Sequence, residues 1–283
     1  MVGAVLALVM LVTACTPEGP PPSTWRVKAN SVQVVRQNNY SAAGDRPYTI
    51  QIGFRSKLGV ANSSRVDVVS QCYNGKLPAP DAAPDGQTHT FPDGAADVVF
   101  PNTQNLDVGD LMLNTAPLEI FGVMTFAMNR NVHEWFNSCA MSDALGALLA
   151  PALRDALNML IANSSTPPTQ EALINLIIAN LGNFMQGLGS FLMAQIEGLG
   201  NPDAIVGVGV NILVPTSGAF TGLLSTGLTV ADWLLPEIDS GFVNLPALPP
   251  TLKVRIGPMA PSWWTYDFDG DAGHYRVNMS VTG

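Results

Sequence analysis

Strict alternation of apolar and polar residues near both ends of the chain is the feature that most limits its fold. From Tyr48 to Arg55 every second side chain is apolar, and the same pattern runs from His274 to Val281. A period of two gives a β-strand one buried face and one wet face. Trp263 to Phe268 alternates as well, and the intervening Asp269 to Gly273 predicts the turn of a hairpin. Both ends of the chain are therefore expected to form strands.

Further strand segments complete the prediction of a β body. The alternation recurs in Trp25 to Arg36, Ser64 to Tyr73, Leu118 to Met128 and Leu252 to Ile256, whereas the turn residues of Asn74 to Asp97 predict a loop. An antiparallel β-sandwich takes about seven strands, which these segments supply. We therefore predict an α+β protein, an antiparallel β-sandwich closed by its first and last strands, with an apolar insertion that is mainly α-helical. The sandwich takes residues 25–132 and 241–283, and the insertion takes residues 133–240.

Caps and composition predict the helices of the insertion. Ser142 and Asp143 can cap a helix that runs to about Ala162 and is kinked at Pro151. Further along the insertion come a turn at 163–168, a second helix from Thr169 to about Leu199, and an apolar stretch from Ala204 to Leu235. That last stretch is ambiguous between strand and helix, with 216–235 as its helical part.

The second predicted helix has no charged residue between positions 172 and 196. Such a length can span a bilayer, but the amide and serine side chains fall on one side of the helix and the apolar side chains on the other. One interpretation is an amphipathic helix whose apolar stripe packs on the β body. Two others remain: the uncharged helices enclose an apolar ligand or lie on a lipid surface, or they insert into a membrane after a conformational change.

Composition excludes one functional class. Charged residues make up 12% of the 283-residue chain, hydrophobic residues make up 47%, and the formal net charge is -9. A soluble domain usually has ~25% charged residues. Because the chain has no excess of lysine and arginine to displace the counterions of a phosphate backbone, we do not expect it to bind nucleic acid. Its apolar content is enough for a large core.

An uncharged apolar run from Val2 to Ala14 ends at Cys15. It is too short for a transmembrane helix but has the length of the apolar part of an export signal. Val12 to Cys15 resembles the lipobox of bacterial lipoproteins. The resemblance implies a signal peptide at 1–14, diacylation of Cys15, a Pro-rich tether at 15–24, and an extracytoplasmic protein anchored to the cell membrane. The residues alone leave an alternative, an apolar segment that packs internally around a buried Cys15.

Export changes the expectation for the other two cysteines, Cys72 and Cys139. An even pair in an oxidising compartment favours one disulfide. Two separate buried thiols are the alternative. Neither cysteine belongs to a C-x-x-C motif, so the sequence does not predict a zinc or redox site at either position.

The C-terminal hairpin carries carboxylates at alternate positions, Asp267, Asp269 and Asp271. This resembles the opening of a calcium-binding loop, in which hard oxygen ligands surround one cation. Ala272 stands where that pattern has glycine and Asn278 where it has the closing glutamate, so the resemblance implies at most a weak calcium site. A hairpin turn that exposes its carboxylates to water explains the same residues.

The sequence departs at specific residues from the motifs of two common enzyme classes. Gly222 to Gly227 has one residue too many before Ser225 to form the nucleophile elbow of a hydrolase. His133 has no second histidine four positions later, as a zinc protease requires. We therefore predict a protein that is not an enzyme and that has no cofactor beyond the weak calcium site.

Two segments, Gly44 to Ser56 and 269–275, resemble the ends of secreted actinobacterial proteins of unassigned function, and this likeness implies no activity. With the lipobox and the uncharged helices, it leads us to expect a lipid-anchored envelope protein that binds a protein partner or an apolar ligand. Two alternatives stay open. One is a membrane-active protein whose uncharged helices insert into a bilayer, and the other is a hydrolase with a non-standard site.

Overall fold

The structure, a computed structural model, describes residues 22–38, 44–57, 59–72, 83–105, 117, 119–130, 139–162, 204–215, 238–239, 242–243 and 251–283. These residues form two β-sheets and one helical segment. The strands are β1 (Ser23–Arg36), β2 (Pro47–Lys57), β3 (Arg65–Ser70), β4 (Thr88–Thr90), β5 (Val98–Thr103), β6 (Glu119–Asn129), β7 (Ala204–Val214), β8 (Ile238–Asp239), β9 (Phe242–Val243), β10 (Leu252–Pro258), β11 (Ser262–Gly270) and β12 (Gly273–Thr282).

The first sheet, named here the terminal sheet, contains β11, β12, β1, β4 and β5. β1 pairs antiparallel with β12, with Arg26 opposite Thr282 at one end of the ladder. β11 and β12 form the C-terminal hairpin, which turns between Gly270 and Gly273. The first and last strands are therefore neighbours in one sheet, and the prediction that both ends of the chain build one β body is confirmed.

The second sheet, named here the large sheet, has the strand order β3-β2-β6-β7-β10-β9-β8. Its neighbouring strands are antiparallel except for β7 and β10, which run parallel with Val208 opposite Leu252. β6 is the strand that the sequence predicts near Leu118 to Met128. The parallel pair matters for the site, because its register sets Asn211 beside Arg255.

Strand β7 overturns part of the predicted helical insertion. Within 133–240, the described residues are helical at 140–162, but Ala204–Val214 is a central strand of the large sheet. The segment is rich in valine and isoleucine, whose branched side chains lose rotamer freedom in a helix and fit a pleated sheet. The β body therefore extends into the region that composition assigns to the insertion.

Two strands of the terminal sheet escape prediction from the sequence. β4 lies inside the predicted loop Asn74 to Asp97 and pairs with the middle of β1, while β5 follows that loop and pairs with the start of β1. β4 is three residues long, too short to display a period. Pro101 and Asn102 break the alternation of β5.

The helical segment consists of α1 (Ala140–Ala144), a π-helical turn (Leu145–Leu149) and α2 (Ala150–Ala162). In the π-helical turn, the Ala150 N–H donates to the Leu145 carbonyl, five residues back. The turn lies directly before Pro151, whose ring cannot donate a hydrogen bond and clashes with the preceding turn of a regular α-helix. α2 packs against β2 and β3 through buried side chains that include Leu153 and Leu157.

Several predicted segments lie outside the described residues. They are the signal peptide 1–14, most of the tether 15–24, and the predicted helices 169–199 and 216–235. Among the helices that the structure does describe, none is long and apolar enough to cross a membrane.

A disulfide joins Cys72, just after β3, to Cys139, just before α1, with 5.5 Å between the Cα atoms. This is the pair that the cysteine count predicts. Closing a loop of this length restricts the unfolded chain and stabilises the fold by about 4 kcal/mol in the chain-entropy description. Next to the disulfide, the Ser142 hydroxyl donates to the Ser70 hydroxyl at 2.7 Å, which also ties α1 to β3.

The two sheets pack face to face over one apolar core. The terminal sheet supplies most of the large side chains, and the large sheet supplies fewer, among them Phe121 and Leu213. On the large sheet, polar side chains also face inward: Thr49, Gln51, Thr125 and Asn211 lie on the inner side of the ladder and are at most 1% exposed. The opposite, outer side of β2 and β6 is apolar and buried, with Ile50, Ile52, Met124 and Phe126. The inner face of the large sheet therefore carries buried polar side chains, whereas its outer face along β2 and β6 is apolar.

Candidate anion-binding site

Arg255 lies on β10 where the terminal sheet stops covering the large sheet. β11 is the edge strand of the terminal sheet, while the large sheet continues beyond β10 through β9 and β8. Arg255 and its register neighbour Asn211 both face the terminal sheet, since Arg255 lies against the Trp264 ring of β11. The guanidinium is therefore half-buried and open to solvent at the margin of the sandwich.

Two contacts hold the guanidinium of Arg255. Its Nη1 donates to Asn211 Oδ1 at 3.1 Å, and its Cζ lies 4.6 Å from the centroid of the Trp264 ring. A cation over an indole face is attracted by the ring quadrupole, which contributes ~0.5–2 kcal/mol. Gly257 leaves the space beside Nη1 open, because a Cβ there would lie 3.4 Å away. The guanidinium is thus held against the indole face.

Arg255 has no carboxylate partner within the described ranges. The ion pairs found there involve other cations, namely Arg26, Lys28, Arg36, Arg55, Arg154, His274 and Arg276. Burial lowers the pKa of Arg255, and the nearby Tyr266 hydroxyl opposes that shift. The side chain stays protonated at neutral pH, because a guanidinium ordinarily titrates above ~12. A half-buried cation without a counterion attracts an anion.

Two neighbouring buried N–H groups, Arg255 Nε and Asn211 Nδ2, have no acceptor in the part of the chain that the structure describes. Asn211 is 1% exposed, and its Oδ1 is already occupied by the hydrogen bond from Arg255. Its Nδ2 is therefore the end of the amide that remains to be bonded. A buried donor without an acceptor costs ~1–3 kcal/mol, so these two groups are unfavourably buried beside the cation.

The aromatic row of β11, Trp264, Tyr266 and Phe268, lies above β7. Tyr266 and Phe268 are stacked with 5.5 Å between centroids, and Trp264 meets Tyr266 edge-on at 6.0 Å. The glycines of β7 make room for the row: a Cβ on Gly209 would lie 2.5 Å from the Tyr266 ring, and a Cβ on Gly207 would lie 2.2 Å from Phe268. These glycines therefore set how closely β11 approaches β7, and with it the position of Trp264 above Arg255.

The groups that converge on this site are suited to holding an oxyanion. A guanidinium forms paired hydrogen bonds with carboxylate or phosphate oxygens, and Asn211 fixes its position by accepting a hydrogen bond from Nη1. Lys253, two residues before Arg255 on β10, has the same strand parity and no ion pair with any described residue. The arrangement can bind and orient an anionic group.

The carboxylates of the predicted calcium site lie elsewhere on the hairpin. Asp267 and Asp269 are on the outer face of β11, and Asp271 is in the turn. Asp267 accepts a hydrogen bond from Arg276 and is hydrogen-bonded to the His274 ring, and Asp269 accepts a hydrogen bond from Arg36. Among the described residues, no group of three or more His, Cys, Asp or Glu side chains is arranged to hold a metal ion. Calcium binding stays a prediction, and the ion would have to compete with these cations.

The remaining predicted residues fall into two groups. Cys15, His133 and Ser225 lie outside the described residues. Cys72 and Cys139 form the disulfide and contribute to the fold. The residues of the Arg255 site, in contrast, are absent from the sequence-based predictions. The signal that was available is strand parity, because Arg255 alternates with Val254 and Ile256 and both sides of a central strand are covered.

A second buried ionisable group, Asp45, forms hydrogen bonds that join separate parts of the fold. It is 3% exposed, accepts a hydrogen bond from the Tyr275 hydroxyl at 2.9 Å, and accepts another from the Asn38 N–H at 3.2 Å. Its backbone forms a two-way bridge with Ala83. Burial raises the pKa of the Asp45 carboxyl, although the hydrogen bonds from the Tyr275 hydroxyl and the Asn38 backbone N–H oppose the shift. Asp45 therefore joins the start of β2, the loop before β4 and the end of the hairpin.

Comparisons with protein-family models, with curated proteins and with solved structures found no match for this chain.

The raised pKa of Asp45 predicts the pH dependence of stability. A folded-state pKa above the unfolded value of ~4 means that the folded protein binds the proton more tightly. The contribution of Asp45 to the free energy of unfolding is therefore greatest below that unfolded value and falls as pH rises through the folded pKa. Relative to Asp45→Asn, the unmodified protein should lose stability as pH rises from about 4 towards neutrality. Urea denaturation at a series of pH values measures the difference.

Asp267→Asn is the matched control with the opposite sign. Burial alone would raise the pKa of Asp267, but hydrogen bonds from His274 and Arg276 hold it below its ordinary value. The unmodified protein should therefore gain stability relative to Asp267→Asn as pH rises through the acidic range. If both variants show the same pH slope against the unmodified protein, the assignment of the Asp45 shift is wrong.

Proposed function

We propose that this chain is an exported, lipid-anchored binding protein of the cell envelope, without catalytic activity, whose ligand has an apolar body and an anionic, oxygen-rich head. The observation that carries the proposal is the half-buried guanidinium of Arg255, which has no carboxylate partner among the described residues and lies beside an unbonded donor of Asn211. A protein that needs this cation only for stability would pair it within the fold.

The head group is a carboxylate or a phosphate. Both present oxygen atoms at the spacing of the guanidinium fork, and charge-assisted hydrogen bonds of this kind are shorter and stronger than neutral ones. The ligand oxygens approach the solvent-exposed part of Arg255, beside the Trp264 ring. Lys253 adds a second positive charge to the same strand.

The apolar body of the ligand lies against the exposed edge of Trp264. This ring is 8% exposed and stands at the edge of the terminal sheet, next to the point where an anion would enter. Hydrophobic contact with an indole stabilises an apolar group by ~25 cal/mol per Å² removed from water. A charged group beside an aromatic ring suits a small amphiphilic molecule.

The absence of catalysis is proposed from the chemistry of the groups at the site. A guanidinium and a carboxamide donate hydrogen bonds but do not take a proton or attack a substrate at neutral pH. General acid–base or nucleophilic catalysis needs a group that can do one of these. The site is therefore suited to holding its ligand unchanged.

Export and anchoring are supported by two separate features. The residues Val12 to Cys15 resemble a lipobox, and the Cys72–Cys139 disulfide is of the kind that persists in oxidising compartments.

We predict that the protein extracted from its native membrane begins at Cys15 and carries a diacylglycerol thioether there. Intact-protein and peptide mass spectrometry tests this. Recovery of an unmodified polypeptide that still begins with Met1 would contradict it, and Cys15→Ser is the control that should abolish the lipid adduct.

The ligand proposal predicts a head-group preference that depends on Arg255. The protein should bind dodecyl phosphate at least tenfold more tightly than an uncharged dodecyl polyoxyethylene ether of the same chain length. Arg255→Gln should weaken binding of dodecyl phosphate by about 10- to 100-fold, the equivalent of one charged hydrogen bond of ~1.5–3 kcal/mol. Isothermal titration below the critical micelle concentration measures both affinities.

Arg276→Gln is the matched control, because Arg276 is an exposed arginine of the terminal sheet that already pairs with Asp267. It should leave the affinity for dodecyl phosphate unchanged. Arg255→Lys keeps the positive charge but removes the paired N–H donors of the guanidinium. Its affinity for dodecyl phosphate should therefore lie between that of the unmodified protein and that of Arg255→Gln. Equal affinity for the two head groups, or unchanged binding by Arg255→Gln, would refute the proposed ligand class.

A further inference from the structure

Trp263 stands on the outer face of the terminal sheet, opposite in direction to the buried Trp264. It is 72% exposed, the largest exposed fraction among the large hydrophobic side chains of the described residues. Leaving an indole in water is unfavourable by the free energy that its burial would yield, ~25 cal/mol per Å² of apolar surface. Trp263 contributes nothing to the core of the sandwich. The exposed indole therefore offers a flat apolar face to another molecule.

The strands beside Trp263 carry hydroxyl and amide groups on the same face. Thr265 Oγ1 donates to Asn278 Oδ1 at 2.7 Å, and Asn278 Nδ2 donates to the Ser31 hydroxyl at 2.9 Å. This chain of hydrogen bonds crosses β11, β12 and β1. The side chains are thereby held in place before any ligand arrives, which reduces the entropy lost on binding.

The charges of this outer face are balanced. Four cationic side chains each pair with a carboxylate: Arg26 with Asp97, Lys28 with Asp93, Arg36 with Asp269, and Arg276 with Asp267. The chain as a whole has a formal net charge of -9, so this balance is a local property. A partner attracted by charge, such as a nucleic acid or a strongly acidic protein, would need a surplus of one sign. The face instead matches a neutral, polar partner.

We infer that the outer face of the terminal sheet binds a neutral polysaccharide, with Trp263 as the stacking platform. A pyranose ring presents a face of C–H groups that packs against an indole, while its rim of hydroxyl groups donates and accepts hydrogen bonds. The side chains of Thr265, Asn278 and Ser31 supply complementary partners next to the indole. From β11 to β1 the face is about 10 Å wide, because neighbouring strands lie ~4.8 Å apart. A short run of sugar residues therefore fits across it.

A lipid surface suits this face less well than a sugar. Interfacial binding needs a contiguous apolar patch or a rim of cations. Besides Trp263, the other large hydrophobic side chain exposed on the described part of this face is Val99 on β5, and two strands, β12 and β1, lie between β11 and β5. The residues between them are hydroxyls, amides and paired charges. The site is separate from Arg255, which faces the opposite side of the terminal sheet, so the two proposals can fail independently.

Affinity electrophoresis of the full chain in native gels that contain dextran, laminarin or galactomannan tests the inference. At least one of these neutral polysaccharides should retard the protein, and isothermal titration with that polysaccharide should then give a dissociation constant. Trp263→Ala should raise this constant at least tenfold, while Trp263→Phe, which keeps a stacking ring, should raise it no more than about threefold. Trp263 is exposed, so both variants should keep the melting temperature of the unmodified protein.

Two further variants separate a sugar from other partners. Asn278→Ala removes amide hydrogen bonds next to Trp263 and should also weaken polysaccharide binding, whereas Val99→Ala, a change at an exposed apolar residue far from Trp263, should not. Retardation by none of the polysaccharides, or equal retardation of Trp263→Ala, overturns the inference. It is also overturned if the protein binds phosphatidylcholine vesicles through Trp263 with no effect of Asn278→Ala, or if Trp263 instead mediates dimerisation measured by sedimentation.

Discussion

Contact between the aromatic row of β11 and the glycines of β7 is the constraint on which the rest of the structure depends. Tyr266 lies where a side chain on Gly209 would lie, and Phe268 lies where a side chain on Gly207 would lie. β11 therefore approaches β7 more closely than two strands with full side chains allow. This close approach seals the core on one side and leaves Trp264 at the margin, directly over Arg255. The site is thus a consequence of how the two sheets meet.

The two faces of β11 divide the proposed functions between them. Its inner residues build the core and cover the guanidinium, and its outer residues carry Trp263 and the hydroxyl and amide surface. Alternation along one strand thus places the proposed anion site on one side and the proposed sugar-binding surface on the other. For a protein tethered by a lipid to the outside of a membrane, the proposed sugar surface would orient the body towards the cell wall, and the Arg255 site would remain reachable from its own edge of the sandwich.

Local sequence patterns predict some elements of this structure and miss others. The hairpin of β11 and β12 and its pairing with β1 follow from alternation, and the Cys72–Cys139 disulfide follows from the count of cysteines. β7 was harder to predict, because Gly207 and Gly209 replace the inward side chains that would have displayed a period of two. The Arg255 site could not be predicted from the sequence for a different reason. Asn211, Arg255 and Trp264 are far apart in sequence and meet only through strand register and sheet packing, which no local pattern contains. Arg255 also follows the alternation of a surface strand, in which a charged residue is expected to face water.

The free energy of unfolding of Gly209→Ala tests the central claim most directly. A Cβ at this position would lie 2.5 Å from the fully buried Tyr266 ring, so the account predicts a loss of ~1–3 kcal/mol in urea denaturation, as for other overpacked cores. Gly257 lies on the neighbouring strand, and a Cβ there would lie 3.4 Å from Nη1 of Arg255. Gly257→Ala should therefore lower the free energy of unfolding by less than Gly209→Ala does. A Gly209→Ala protein as stable as the unmodified chain would show that the sheets do not meet through the β7 glycines, and the position of Trp264 over Arg255 would lose its explanation.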